Sequence, residues 1–379
     1  MAPMLPAPRR DAPSLADVLT GAFGAIVGEP GLLDLPPVRA AAVVLVDGLG
    51  ASLLRAHAGH ARRLTAAAPA RADIIESGFP TTTASALATL STGLSPGQHG
   101  LVGFSAIDRA GGRVVPMLTG WDARTQPLEW QPHPTVFERA GESGVDAVVV
   151  GAERYRDSGF TAAVLRGARW VAAASIDERL QLAAALLREP GERIVYVYIP
   201  ELDMAGHAHG VDSTAWLERL EELDAALAVL DNSVPRDTGV LLTADHGMLD
   251  LAPHQRLVVA ESSDLWEGVR FVAGEPRCLQ LGLEDVEHVD AVVERWRAAE
   301  GSRAWVVSRE EAIDAGWFGT VAPAVLPRIG DVLVAARARV AYYDERSASS
   351  QSLAMVGQHG SFSPEEVRVP LARWAAFRR

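Results

Sequence analysis

Short apolar runs rich in β-branched residues alternate with longer stretches of helical period over the first two thirds of the chain, and each run stops at a polar cluster. That rhythm predicts an α/β fold, a mostly parallel sheet with helices on both faces, because a strand buried on both sides reads as continuous apolar sequence. The predicted central strands are residues 41–46, 146–150, 194–199 and 239–243. Helices are predicted over 84–92, 175–187 and 213–230, where Trp216, Leu220, Leu223, Leu227 and Leu230 recur at helical spacing and mark a buried stripe. After Met248 the texture changes: residues 257–305 read strand, helix, strand, with the helix at 290–299 and extended chain at 304–307. This region holds no catalytic cluster, so the expected organisation is a core of residues 1–254 and 328–379 carrying a small inserted α/β cap at 255–327. A further strand is read at 330–334, and an irregular segment at 104–130 carries Gly111-Gly112 as a hairpin turn.

Composition narrows the chemistry. The chain has 379 residues with 35 basic and 48 acidic groups, a net charge of −13, and no lysine. Without a lysine amine, Schiff-base and pyridoxal phosphate enzymes and the lysine-bearing P-loop are excluded. Cys278 is the single cysteine, so neither an intramolecular disulfide nor a CxxC zinc ribbon is available. An acidic chain without a basic stripe argues against a nucleic-acid polymer as partner. The apolar run at 40–46 is far short of the roughly 20 residues of a membrane helix. Arg9-Arg10 is followed by Asp11 and Asp17, which fits a cleavable signal peptide poorly and makes a cytoplasmic location the expectation.

Polar residues able to hold metal ions stand at or near the ends of the apolar runs. Asp47 follows the first strand and leads into Gly48 and Gly50; Thr81-Thr82-Thr83 opens a helix; Asp203 and His207 follow the third strand; Asp245-His246 follows the fourth. The i, i+4 spacing of Asp203 and His207 puts both on one helical face, where they suit one ion. Taken singly, Asp47 and the threonines read as helix caps, and His359, between Gly357 and Gly360, as a surface-loop histidine. Three aspartates and three histidines together, with no thiolate, match two hard or borderline divalent ions, most simply zinc. His99 and His209 are read as packing or supporting histidines.

In this order the motifs resemble the alkaline phosphatase superfamily, and within it the nucleotide pyrophosphatase/phosphodiesterase branch. Aligned on Thr92-Gly93-Leu94-Ser95-Pro96 and His99-Gly100, the family nucleophile falls on Thr83. The resemblance implies one zinc held by Asp203, His207 and His359, and another held by Asp47, Asp245 and His246 with Thr83 beside it. It implies a small-molecule phosphate ester or nucleotide as substrate, attacked in line by Thr83 to give a phosphothreonine intermediate. Ser85 is expected to donate to a phosphoryl oxygen, and Phe104 and Trp121 to wall the leaving-group pocket. The alternatives are a phosphonate hydrolase or phosphomutase of the same superfamily, or an inactive metal-binding scaffold. The sulfatase branch is set aside, since Thr83 has no C/S-x-P-x-R context.

Overall fold

The computed structural model describes residues 5–9, 12–68 and 73–378; Arg10 and Asp11, part of the N-terminal reading above, lie outside the described residues. Strands β1 (Ala40–Val46), β2 (Asp146–Gly151), β3 (Arg169–Ala172), β4 (Arg193–Ile199) and β5 (Thr238–Thr243) pair in parallel, with β1 central between β4 and β5. Ala372–Ala375 adds an antiparallel edge strand against β5. Every residue of β1 is buried, as its unbroken apolar sequence requires of a strand covered on both faces.

The register explains where the polar residues gather. Val46 pairs with Ile199 and Leu45 with Thr243, so β1, β4 and β5 end level with one another. Whatever follows those strands emerges at one edge, the carboxyl edge where ligands of open parallel sheets collect.

Five helices matter for the argument: α1 (Thr83–Thr92), α2 (Ile176–Arg188), α3 (Glu201–His209), α4 (Thr214–Ala226) and α5 (Val289–Glu300). Ser175 and Ser213 cap α2 and α4 by accepting from the Glu178 and Trp216 N–H groups. The single helix predicted to reach residue 230 is instead two, because the backbone tightens at Leu227 before resuming as Ala228–Ser233.

The second sheet is antiparallel. Its strands β6 (Val269–Glu275), β7 (Cys278–Leu283), β8 (Ala304–Ser308) and β9 (Val332–Ala336) run in the order β6-β7-β9-β8. The boundary expected at residue 327 therefore cuts this sheet, since β9 lies beyond it; Ala341–Asp344 also crosses, pairing with Arg256–Val259. The sequence hides this because β9 is as apolar as a core strand. Trp266, Leu281, Trp296 and Tyr342 give the sheet its own apolar core.

The second sheet is fastened to the first by buried polar contacts. Arg277 donates from Nε and Nη2 to both carboxylate oxygens of Glu366, each at 2.7 Å, with neither side chain exposed. Burial alone would raise the Glu366 carboxyl, but Arg277 beside it holds it below its ordinary range. The Gln280 amide donates to the Val102 carbonyl at 2.7 Å. Among the described residues, no helix is long and apolar enough to cross a membrane.

Candidate active site

Asp47 is the first residue past β1, Asp203 lies in the first turn of α3 after β4, and Asp245 is the second residue past β5. The strand-end loops can crowd together only because they carry glycine. Gly48 adopts φ +75, and a Cβ there would stand 3.1 Å from the Asp203 Cα. The second loop, at Gly247, passes so close to Gly50 that a Cβ on Gly50 would lie 2.8 Å from the Gly247 Cα.

Six side chains converge at this edge with a shared pattern of bare atoms. His207 Nδ1 donates to the Gly357 carbonyl at 2.8 Å, His359 Nδ1 to the Thr81 carbonyl at 2.7 Å, and His246 Nδ1 to the Gly247 carbonyl at 3.2 Å. A carbonyl only accepts, so each Nδ1 carries the hydrogen and each Nε2 presents a lone pair inward. The acids repeat the theme. Asp47 Oδ2 accepts from the Tyr198 hydroxyl at 2.5 Å, and Asp245 Oδ1 from the Gly48 and His246 N–H groups at 3.1 and 3.0 Å. Asp47 Oδ1, Asp245 Oδ2 and Asp203 Oδ1 are buried with no hydrogen-bond partner.

These bare atoms form two neighbouring groups. In one, Asp203 Oδ1 is 3.4 Å from His207 Nε2 and 3.8 Å from His359 Nε2, and the two imidazole nitrogens are 3.2 Å apart. In the other, His246 Nε2 is 3.4 Å from both Asp47 Oδ1 and Asp245 Oδ2 and accepts from the Thr83 hydroxyl at 3.3 Å. The most compact set around His246, all within 4.8 Å, contains Asp47 and Asp203 rather than Asp245. Asp245 stays in the group on its direct contact and its unpartnered oxygen, and Asp203 stands between the groups. The His246 and His359 rings stack at 3.7 Å.

Electrostatics test whether cations fit. Burial, with Asp245 and Asp203 close by, pushes the Asp47 carboxyl well above its ordinary range, and burial raises Asp245 as well. Burial, with His246 and His207 beside it, pushes the His359 imidazole well below its ordinary value. A divalent cation bound there would oppose the upward shift of the acids and reinforce the downward shift of the imidazole, favouring ionised acids and unprotonated imidazoles. Facing lone pairs on His207 and His359, and three carboxylate oxygens with nothing to accept, are groups that fit metal ions.

Thr83 opens α1, and no side chain caps that helix start. Beside it lies a cavity of about 440 Å³ reaching Asp47, Tyr198 and Asp203 at its floor and walled by Leu87, Leu118, Tyr155, Phe160, Leu165 and Trp170. The expected wall is only partly matched: Leu118 and Thr119 come from the 104–130 segment, but Phe104 and Trp121 do not line the cavity. Phe104 is exposed, and Trp121 packs over Gly159 while donating to the Met117 carbonyl. Ser85 is buried, does not line the cavity, and its hydroxyl has no partner. Two residues beyond Thr83 on a helix is the opposite face, which is why it points away.

Tyr155, Trp170 and Arg154, absent from the sequence reading, supply the aromatic wall and its cation. The signal was the strand-end rule itself, since Arg154 and Tyr155 follow β2 at the same carboxyl edge. His99 is buried between the Thr89 hydroxyl and the Leu101 N–H, its pKa pushed down to about 3 chiefly by burial; it is a packing histidine.

Fold and site together define a member of the alkaline phosphatase superfamily. The profile of the family described as type I phosphodiesterase / nucleotide pyrophosphatase matches residues 41–362, and the chain belongs to that family of phosphoric ester hydrolases. Solved structures share the fold. Phosphonoacetate hydrolase from Sinorhizobium meliloti 1021, in complex with phosphonoacetate, superposes with a TM-score of 0.70 at 20% identity, covering 89% of this chain and 91% of that one. Murine ectonucleotide pyrophosphatase / phosphodiesterase 5 gives 0.65 at 16% identity, over 88% and 87%; its human counterpart gives 0.65 at 15%, over 89% and 90%. No curated protein matches the chain in sequence.

Proposed function

We propose that the protein is a two-metal hydrolase of phosphate diesters and phosphoanhydrides that carry a small organic group. The observation that carries this reading is the Thr83 hydroxyl, 3.3 Å from His246 Nε2, set between unpartnered ligand atoms and an apolar cavity. Asp203, His207 and His359 would hold one divalent ion, and Asp47, Asp245 and His246 the other, zinc being the simplest choice for such oxygen and nitrogen donors. When bound, these ions supply positive charge that lowers the pKa of a hydroxyl and neutralises phosphoryl oxygens.

The chain's own residues do the rest. Thr83 Oγ1 gives its proton to solvent and bonds to phosphorus in line, while the bond from phosphorus to the leaving oxygen breaks and that oxygen takes a proton from solvent. Water then displaces Thr83 from the phosphothreonine, restoring the hydroxyl; two inversions give net retention at phosphorus. Tyr198 holds one oxygen of Asp47 and thereby turns the other toward the ion. Leu118, Tyr155, Phe160 and Trp170 receive the organic part of the departing group.

A diester fits this wall better than a monoester. A monoester brings an extra charge that needs a guanidinium near phosphorus, and Arg154, the cation lining the cavity among the described residues, hydrogen-bonds to Tyr155 and Met204 in the wall rather than to Thr83. Arg154 also favours a second reading, a leaving group that ends in a carboxylate, like the phosphonoacetate bound in the S. meliloti hydrolase. Bis(p-nitrophenyl) phosphate, p-nitrophenyl phosphate and phosphonoacetate, each with and without chelator, separate these readings. Chelator-sensitive turnover fastest on the diester is the expected result; turnover of phosphonoacetate alone shifts the assignment to the second reading. A folded, zinc-loaded protein inert on all three defeats both.

A further inference from the structure

We infer that Glu275, the last residue of β6, is a positioning residue that the second sheet contributes to the ion group of Asp203, His207 and His359. The inference rests on the two-ion reading above for what is positioned. All the expected ligands come from the first sheet's loops, from α3 and from the C-terminal segment; Glu275 is reached from the opposite side. It is 7% exposed, and its Oε2 lies 3.7 Å from His359 Nδ1. Burial pushes its carboxyl well above the ordinary range, while the neighbouring Thr82 hydroxyl, one residue before Thr83, and the Phe104 N–H favour its ionised form. Oε1 is buried with no partner.

The backbone is shaped around this side chain. Gly360, next to His359, adopts φ +132, and a Cβ there would stand 2.5 Å from the Glu275 Cγ and 2.9 Å from Oε2. The glycine thus lets the carboxyl lie flat against the loop that carries His359. Docking does not require the acid, because Arg277 already pairs with Glu366, and Glu275 is not part of the second sheet's apolar core. An acid buried with one oxygen bare costs stability. At 3.7 Å from an Nδ1 whose hydrogen goes to the Thr81 carbonyl, it packs against that edge of the ring and, when ionised, its charge strengthens Nε2 as a donor to metal.

The test compares wild type with Glu275→Met, which keeps the volume and removes both oxygens. Zinc content is followed across an EDTA series, with kcat and KM on bis(p-nitrophenyl) phosphate and Tm measured alongside. Expected is the loss of one zinc at roughly 10- to 100-fold lower chelator and a comparable fall in kcat, with KM little changed. A purely structural role would lower Tm and leave the zinc midpoint in place, which overturns the inference. If Glu275→Met does not fold, Glu275→Asp withdraws the carboxyl by one methylene, and a wild-type zinc midpoint in that variant overturns it equally. A wild type that binds no zinc defeats the two-ion reading and this inference with it. A zinc-binding wild type beside an equally retentive variant defeats this inference alone.

Discussion

The two candidate ion groups are neighbours built from the same residue types, yet one is fully buried and the other is not. Asp245 and His246 are fully buried and Asp47 nearly so at 3%, whereas the side chains of Asp203 and His207 are 15% and 20% exposed. The buried group grows from the ends of two adjacent strands, with its carboxylates pinned by backbone N–H groups and Tyr198. The more exposed group joins a helix to a C-terminal loop that is far away in sequence. Charge acts over a lower effective dielectric in the buried group, so that side is suited to the nucleophile. The more exposed side is suited to the group that arrives and departs. The difference teaches that two groups of the same residue types differ in burial according to whether strand ends or a helix and a distant loop build them.

The harshest way to break this comparison is to remove the group that gives the buried side its purpose. Thr83→Ala should lower kcat on bis(p-nitrophenyl) phosphate by at least about 10³-fold, as for other nucleophile deletions. Metal analysis should find the same zinc content as in wild type, because the six Asp and His side chains are intact. A variant that keeps its rate removes Thr83 from the mechanism.

The next largest effect concerns the loop that carries His359. Glu366→Gln leaves Arg277 buried without its charge partner and should cost about 3–5 kcal/mol of stability, read from denaturant unfolding. The sign of the pH dependence follows from the lowered Glu366 pKa. Its contribution is present above the ordinary glutamate value of 4.5 and is lost as pH falls through the lower folded value. Wild type should therefore lose stability on acidification below that value more steeply than Glu366→Gln does; parallel curves would mean the pair contributes nothing.

The candidate residues of both groups were legible in the sequence because Asp47, Asp203, Asp245 and His246 stand at or near the ends of apolar runs, whereas His359, in a loop, was legible only by its place in the order of motifs. Val46 to Asp47 and Thr243 to Asp245 are chemical discontinuities that parallel-sheet geometry turns into a common edge. Asp203 standing between the groups was not legible, since spacing reveals a shared face but not a distance to another loop. The pocket wall was read from the wrong aromatics for the same reason. Phe104 and Trp121 are close to α1 in sequence, whereas Tyr155 and Trp170 reach the cavity through β2 and β3, and only pairing reveals that β2 lies beside β4 and β3 beside β2. The cap boundary failed because β9 carries the composition of a core strand while pairing with β7 and β8.

A smaller effect sharpens the contrast in exchange. Stripping zinc from the wild type with excess chelator should proceed in two phases, separated by at least about tenfold in rate, the faster belonging to the exposed group. His207→Ala should abolish the fast phase and leave the slow one. A single phase in the wild type would mean that burial does not separate the two groups kinetically.

The smallest expected effect lies outside both groups, in the cavity wall. Trp170 lines the cavity, and its indole Nε1 is buried without a partner, so the ring has a hydrogen-bond donor to offer a ligand as well as a face. A stacked base gains about 1–3 kcal/mol from an aromatic side chain, so Trp170→Ala should lower kcat/KM on a nucleotide diester by about fivefold or more. Methyl p-nitrophenyl phosphate, which has no base to stack, should lose little. The same ring presses on Gly151, where a Cβ would stand 2.9 Å from it, so a packing role predicts equal losses on the two substrates. Unequal losses place substrate choice in the wall and chemistry in the floor, because a contact made only with the leaving group cannot alter attack on a substrate that lacks it.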